Sequence, residues 1–183
     1  MASINGLNIK KIKKDLDHEG MEIISCNIYL GTKQIGYYED SYWGGLPTIE
    51  LLPQYSKVKL ESLLAKIHPQ QMGMDYDLMT LIFDLMELKE NEKVFKKAIK
   101  NDGISGALIV TDGYHEVHYY IPTEIVNLGK DKVMEYYAPH IVEAKERNKF
   151  FKDSPGHEHK TLLFTNIKDF DKGIKIKEKE FLK

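Results

Sequence analysis

"ALIVTDGYHEVHYYIP", residues 107–122, decides how the rest of the chain is read. Two imidazoles flanking a carboxylate suggest a metal site, and hence an enzyme. The zinc-protease arrangement, however, sets its histidines four residues apart on one helix face, whereas His115 and His118 are three apart. Asp112-Gly113, between two apolar-rich runs, is instead the strongest short hairpin signal in the chain. With those residues as the turn centre, Thr111 pairs with Tyr114, Val110 with His115, Leu108 with Val117 and Ala107 with His118. Alternation then places His115 with Val117, Tyr119, Leu108 and Val110 on an apolar face, as a core histidine. His118 falls with Glu116, Tyr114 and Tyr120 on the other face, beside Ile109 and Ala107. The two imidazoles point opposite ways, so they do not share one ion.

The remaining histidine pair, His157 and His159 in "SPGHEH", lies in a Pro/Gly loop. A site built from His118, Glu116, His157 and His159 suits zinc, since imidazole and carboxylate are its ligands. That alternative makes the chain a metal-dependent hydrolase or nuclease-like enzyme. Nothing in the spacing brings the groups together, and the favoured reading has no catalytic residues, no metal and no cofactor. Walker A, Gly-x-Ser-x-Gly, dinucleotide-fingerprint and Cys-x-x-Cys motifs are all missing.

Outward from the hairpin, the pattern gives an α+β fold with two antiparallel hairpins and several helices between and after them. In "MEIISCNIYL" Ile24, Cys26, Ile28 and Leu30 alternate with polar residues and Tyr29, which makes this hairpin strand the first structured element. Gly31-Thr32 reads as a II′ turn, and "KQIGYYED" returns, with Ile28 opposite Ile35 and Cys26 opposite Tyr37. Cys26 is then a small core residue rather than a nucleophile. "LPTIELLP" is a short third strand between prolines. Ser56 is the N-cap of a helix carrying Leu60, Leu63, Leu64 and Ile67. Leu78 to Ile99 is two helices, or one bent at "KENE". "TEIVNL" is a helical turn, Asp131 to Tyr137 a further segment, and Pro139 opens another helix. "KTLLFTN" is an internal strand, and "GIKIKEKEFLK" either an edge strand guarded by lysines or a fraying tail. The division expected is an N-terminal β-hairpin module over residues 1–55 and an α+β body over 56–183.

The run from Glu19 through Cys26, the "IYL" triplet, the glycine turn, Lys33, Gly36 and the Gly44-Gly45 pair, within residues 19–45, resembles a module of small uncharacterised bacterial and phage proteins. The resemblance implies no catalytic residues; what it implies is origin. Composition points the same way. Of 26 basic residues 25 are lysine and Arg147 is the only arginine, the usage of an AT-rich genome. One arginine also equips the chain poorly for sequence-specific DNA reading, where bidentate guanidinium contacts dominate. Basic and acidic residues nearly cancel, 26 against 28, which removes a generalised positive field. A single cysteine and no run of about 18 apolar residues set the expectation of a reducing, cytoplasmic setting with no membrane span.

Lys93, Lys96, Lys97 and Lys100 form a basic strip on one helix, read here as a solvated face suited to a helix C-terminus. Eleven tyrosines supply large amphipathic contact area at low rotamer cost. These features together favour a non-enzymatic binding or inhibitor protein, phage- or mobile-element-encoded, that blocks a host defence protein or toxin by occlusion. Its contacts are expected at Tyr42, Trp43, Tyr114, Glu116, His118 and Tyr120, and its partner is expected to be another protein. A third reading is a sponge that sequesters a nucleotide between tyrosines and lysines.

Overall fold

A computed structural model describes residues 1–41, 45–68, 70, 74–111, 115–147 and 160–183. The chain is a mixed α+β protein with two separate sheets. It divides into two compact units, one formed by residues 2–89 with 171–183, the other by Met1 with residues 90–170.

The first unit is built on a six-stranded sheet. Its strands are β1 (Ser3–Ile4), β2 (Leu7–Leu16), β3 (Glu22–Leu30), β4 (Lys33–Glu39), β5 (Thr48–Leu51) and β9 (Asp171–Lys172), in the order β5-β4-β3-β2-β1-β9. All neighbours are antiparallel except β1 and β9, which run parallel. Two strands therefore precede the hairpin that the alternation pattern marks as the first element. They escape that pattern because Leu7, Asn8 and Ile9 are buried consecutively, and because a register irregularity between Lys10 and Lys13, with Lys11 at φ 55°, breaks the period of two.

The β3–β4 turn forms as expected, with Leu30 opposite Lys33 and Gly31 at φ 59°. Beyond Tyr29 the register slips by one residue. Ile28 thus faces Gly36, not Ile35, and Cys26 faces Tyr38, not Tyr37. The slip is a bulge at Ile35, and a one-residue slip exchanges the two faces of a strand. Tyr38 is accordingly buried and Tyr37 exposed. Gly36 allows β5 to approach: a Cβ there would stand inside contact distance of the Glu50 carbonyl oxygen and 2.8 Å from Leu51 Cδ2.

Helix α1 (Lys57–Ile67) starts at Ser56, whose Oγ accepts the Lys59 N–H, and buries Leu60 and Leu64. Helix α2 (Leu78–Ala98) is one continuous helix of 21 residues that passes from the first unit into the second after Lys89. Asp77 accepts the Thr80 N–H at 2.8 Å near its start. The C-terminal segment returns to the first unit, neither fraying nor forming a strand over Ile174 and Ile176. Ile176 and Phe181 are buried. Asn5, fully buried at φ 54°, donates through Nδ2 to the Ile174 carbonyl. The hydroxyl of Tyr55 and the ammonium of Lys33 both donate to Glu178.

The second unit has a three-stranded antiparallel sheet, in the order β7 (Glu116–Pro122), β6 (Ile104–Thr111), β8 (Lys160–Phe164). The hairpin read from residues 107–122 is present, with Thr111 opposite Glu116, Val110 opposite Val117, Ile109 opposite His118 and Ala107 opposite Tyr120. The register is displaced by two residues from that of a two-residue turn, since Thr111 pairs with Glu116 and not with Tyr114. An even displacement preserves parity, so Glu116, His118 and Tyr120 share the face expected for them. His115, however, lies beyond the ladder and is exposed, not a core residue. Strand β8 lies at the sheet edge, not inside it, because β6 takes the centre.

Helices α3 (Thr123–Val126) and α4 (Lys130–Arg147) complete this unit. Helix α4 is continuous through Pro139, which neither starts nor ends it. Its buried stripe is Val133, Tyr137, Ile141 and Ala144, joined in one core with Leu108, Val110 and Ile121 of the sheet. Each large apolar side chain so buried contributes roughly 1.5–3 kcal/mol, and together they outweigh the ~3 kcal/mol that an internal proline costs a helix. Phe164 stacks on Phe170 at 4.2 Å, and Phe170 meets Phe95 of α2 at 5.4 Å.

Candidate functional site

Strand β7 is the edge of its sheet, and its two faces differ. Val117 and Tyr119 pack toward the core that α4 completes. Glu116, His118 and Tyr120 project from the opposite face. His118 Nε2 lies 2.8 Å from Glu116 Oε2, with both side chains about one-third exposed. Tyr120 is 39% exposed, although Ala107, its partner across the ladder, is fully buried. A carboxylate–imidazole pair and an aromatic ring thus line up on an accessible strip at the rim of a buried sheet. Tyrosine and histidine in such a place present an apolar body with a polar tip, which suits recognition.

The backbone of β7 has a direction as well. The Thr123 N–H donates to the Gly103 carbonyl at 2.7 Å, which aims position 123 at the β6 side. Alternation then turns the amides of 117, 119 and 121 toward β6, and the backbone groups of 116, 118 and 120 toward the open edge. The Tyr120 carbonyl agrees: it accepts the hydroxyl of Tyr137 on α4 at 3.3 Å.

Behind this edge α4 adds an aromatic cluster that the sequence reading missed. The Tyr119 hydroxyl donates to the His140 carbonyl at 3.1 Å. The rings of Tyr119, Tyr137 and His140 lie 5.6 to 5.8 Å apart, and Tyr136 meets Tyr137 edge-on at 5.2 Å. Burial, with a smaller contribution from neighbouring Tyr136, raises the Tyr137 phenol above its ordinary value, so it is a hydrogen-bond donor. Tyr136 remains 59% exposed. The signal was the spacing of Tyr136, Tyr137 and His140, which is one helix turn only if the helix runs through Pro139.

Other expected residues do not join this strip. Tyr42, Trp43, Tyr114, His157 and His159 lie outside the described residues. Among the described residues no group of three or more His, Cys, Asp and Glu is placed to hold a metal ion. On the basic strip, Lys93 pairs with Glu90 at 2.6 Å and Lys96 with the buried Glu92 at 2.9 Å, while Lys97 and Lys100 are exposed. Among the described residues two of its four charges are thus compensated locally.

In the first unit, burial pushes the Cys26 thiol up to about 11, Lys89 opposing and Asp40 adding to that rise. A thiol so protonated is a poor nucleophile. The groove that Cys26 lines mixes Lys11 and Lys13 with Glu39, which gives it no single sign of charge. His68 Nε2 contacts Asn5 Oδ1 at 2.6 Å and the ring stacks on Tyr76, whose hydroxyl donates to Asp84 at 2.6 Å. Asn5 Nδ2 in turn donates to the Ile174 carbonyl at 2.8 Å, which ties this cluster to the C-terminal segment.

Among the described residues no helix is long and apolar enough to cross a membrane. The chain matches no protein-family model, no curated protein and no solved structure.

Proposed function

We propose that this chain is a non-enzymatic binding protein that engages another protein through the exposed strip of β7 and acts by occlusion. The observation that supports it is the strip itself. Glu116, His118 and Tyr120 stand accessible on one strand whose ladder partners Ile109 and Ala107 are fully buried. A rigid sheet holds them, so little side-chain freedom is lost on contact, and a buried tyrosine ring is among the strongest contributors to protein interfaces. The resemblance of residues 19–45 and the lysine-for-arginine usage support a phage or mobile-element origin. In that setting the target is a host defence protein or a toxin.

The test is a tagged pull-down from host cells, followed by measurement of the captured protein's own activity. The reading expects one protein in stoichiometric amount, with its activity suppressed in the complex. No capture, or capture that survives Glu116→Lys combined with Tyr120→Ala in a variant that melts like the parent, overturns it.

A further inference from the structure

We infer that β7 pairs with β7 of a second copy of this chain, joining two three-stranded sheets into one. The pairing goes beyond the partner-binding reading, because it uses the backbone edge and leaves the side-chain face open.

Three observations carry it. First, among the described residues the edge is lightly guarded: "EVHYYI" contains one charged residue, Glu116, no lysine and no proline before Pro122, and no bulge interrupts β7 opposite Thr111 to Gly106. Natural edges are commonly blunted by those devices, and an edge without them is a template for another strand. The other edge of the same sheet, β8, begins with Lys160.

Second, the backbone groups of 116 and 118 face away from β6, and among the described residues nothing pairs with them. The carbonyl of Tyr120 is occupied by the Tyr137 hydroxyl, so a ladder extending beyond 120 meets α4. An antiparallel ladder centred on Val117 avoids that obstruction. It sets Val117 opposite its own copy and makes Glu116 and His118′ a hydrogen-bonded pair, each pair exchanging both N–H···O bonds.

Third, this register is self-complementary in donors and acceptors. A two-fold axis at Val117 places each Glu116 directly across from the partner's His118 on one face of the joined sheet. A carboxylate acceptor set opposite an imidazole N–H stabilises a strand pair, as the two side chains already do within one strand at 2.8 Å. A closed two-fold arrangement is also the commonest symmetry for a second copy. The joined sheet carries two copies of the Glu116–His118–Tyr120 strip side by side.

Sedimentation velocity over a concentration series tests it. The expected result is a species of twice the 21.2 kDa chain mass, with a dissociation constant below ~100 μM. Glu116→Lys should weaken the dimer by about tenfold or more, since both reciprocal pairs lose their carboxylate acceptor. The double exchange Glu116→His with His118→Glu should restore it, because the pairs are then merely reversed. Each variant is compared by thermal melting, so that loss of folding is told apart from loss of pairing. A protein that stays monomeric throughout, or a dimer indifferent to Glu116→Lys, overturns the inference. A monomer that still captures its protein partner overturns the dimer alone and leaves the binding reading in place.

Discussion

The hydroxyl of Tyr137 donates to the carbonyl oxygen of Tyr120 at 3.3 Å, tying the exposed strand β7 to helix α4. The bond satisfies a backbone acceptor at the sheet edge and fixes the aromatic cluster behind it. Tyr137→Phe removes the donor and keeps the ring in the core. It should lower stability by about 0.5–1.5 kcal/mol, the usual net worth of such a bond. Chemical denaturation reads the change, and a midpoint equal to that of the parent contradicts it.

Helix α4 carries Pro139 inside its span, where the missing N–H leaves the Glu135 carbonyl without its helical donor. Pro139→Ala restores that donor and relieves the ring's clash with the preceding turn. It should raise the stability of the protein by about 1–3 kcal/mol. A lower melting temperature for the variant contradicts the continuous helix.

Gly36 sits opposite Leu51 in the β4–β5 ladder. A methyl group there collides with the Glu50 carbonyl and with Leu51, and the backbone must shift because the first of these atoms is main chain. Gly36→Ala should destabilise by about 1–3 kcal/mol, the range for overpacking. Gly31, at φ 59° with open space around its Cβ, is the comparison: Gly31→Ala meets no atoms and should cost only the ~1 kcal/mol of a left-handed backbone. Equal losses at the two positions contradict the close approach.

Burial holds the Cys26 thiol protonated in the folded state, up to about 11 against an ordinary 9.0. The folded chain therefore holds its thiol proton more tightly than the unfolded chain does, and stability falls as pH rises between those two values. Stability measured from pH 8 to 11 should decline less steeply in Cys26→Ala than in the parent. The thiol should also resist a disulfide reagent until the protein is unfolded. Rapid native modification at neutral pH contradicts the burial.

How much of this was legible in the sequence depended on whether a period survived. The hairpin of β6 and β7 showed itself through Asp112-Gly113 and alternation, and a register error of two residues left every face assignment on β7 intact. The one-residue bulge at Ile35 had the opposite effect: it exchanged Tyr37 and Tyr38 between surface and core. Strand β2 was illegible because its lysines mimic a solvated tail and its irregularity destroys alternation. Of the strip, Glu116, His118 and Tyr120 were readable from parity. Tyr136, Tyr137 and His140 were hidden, since Pro139 argued locally for a helix boundary that burial of the α4 stripe overrides.

The most direct measurement is calorimetric titration of the captured partner with the parent protein and with a His118→Ala, Tyr120→Ala double variant of equal melting temperature. A binding strip of this kind should lose at least about 2 kcal/mol, or roughly thirtyfold in affinity. An unchanged dissociation constant would show that recognition lies elsewhere on the chain.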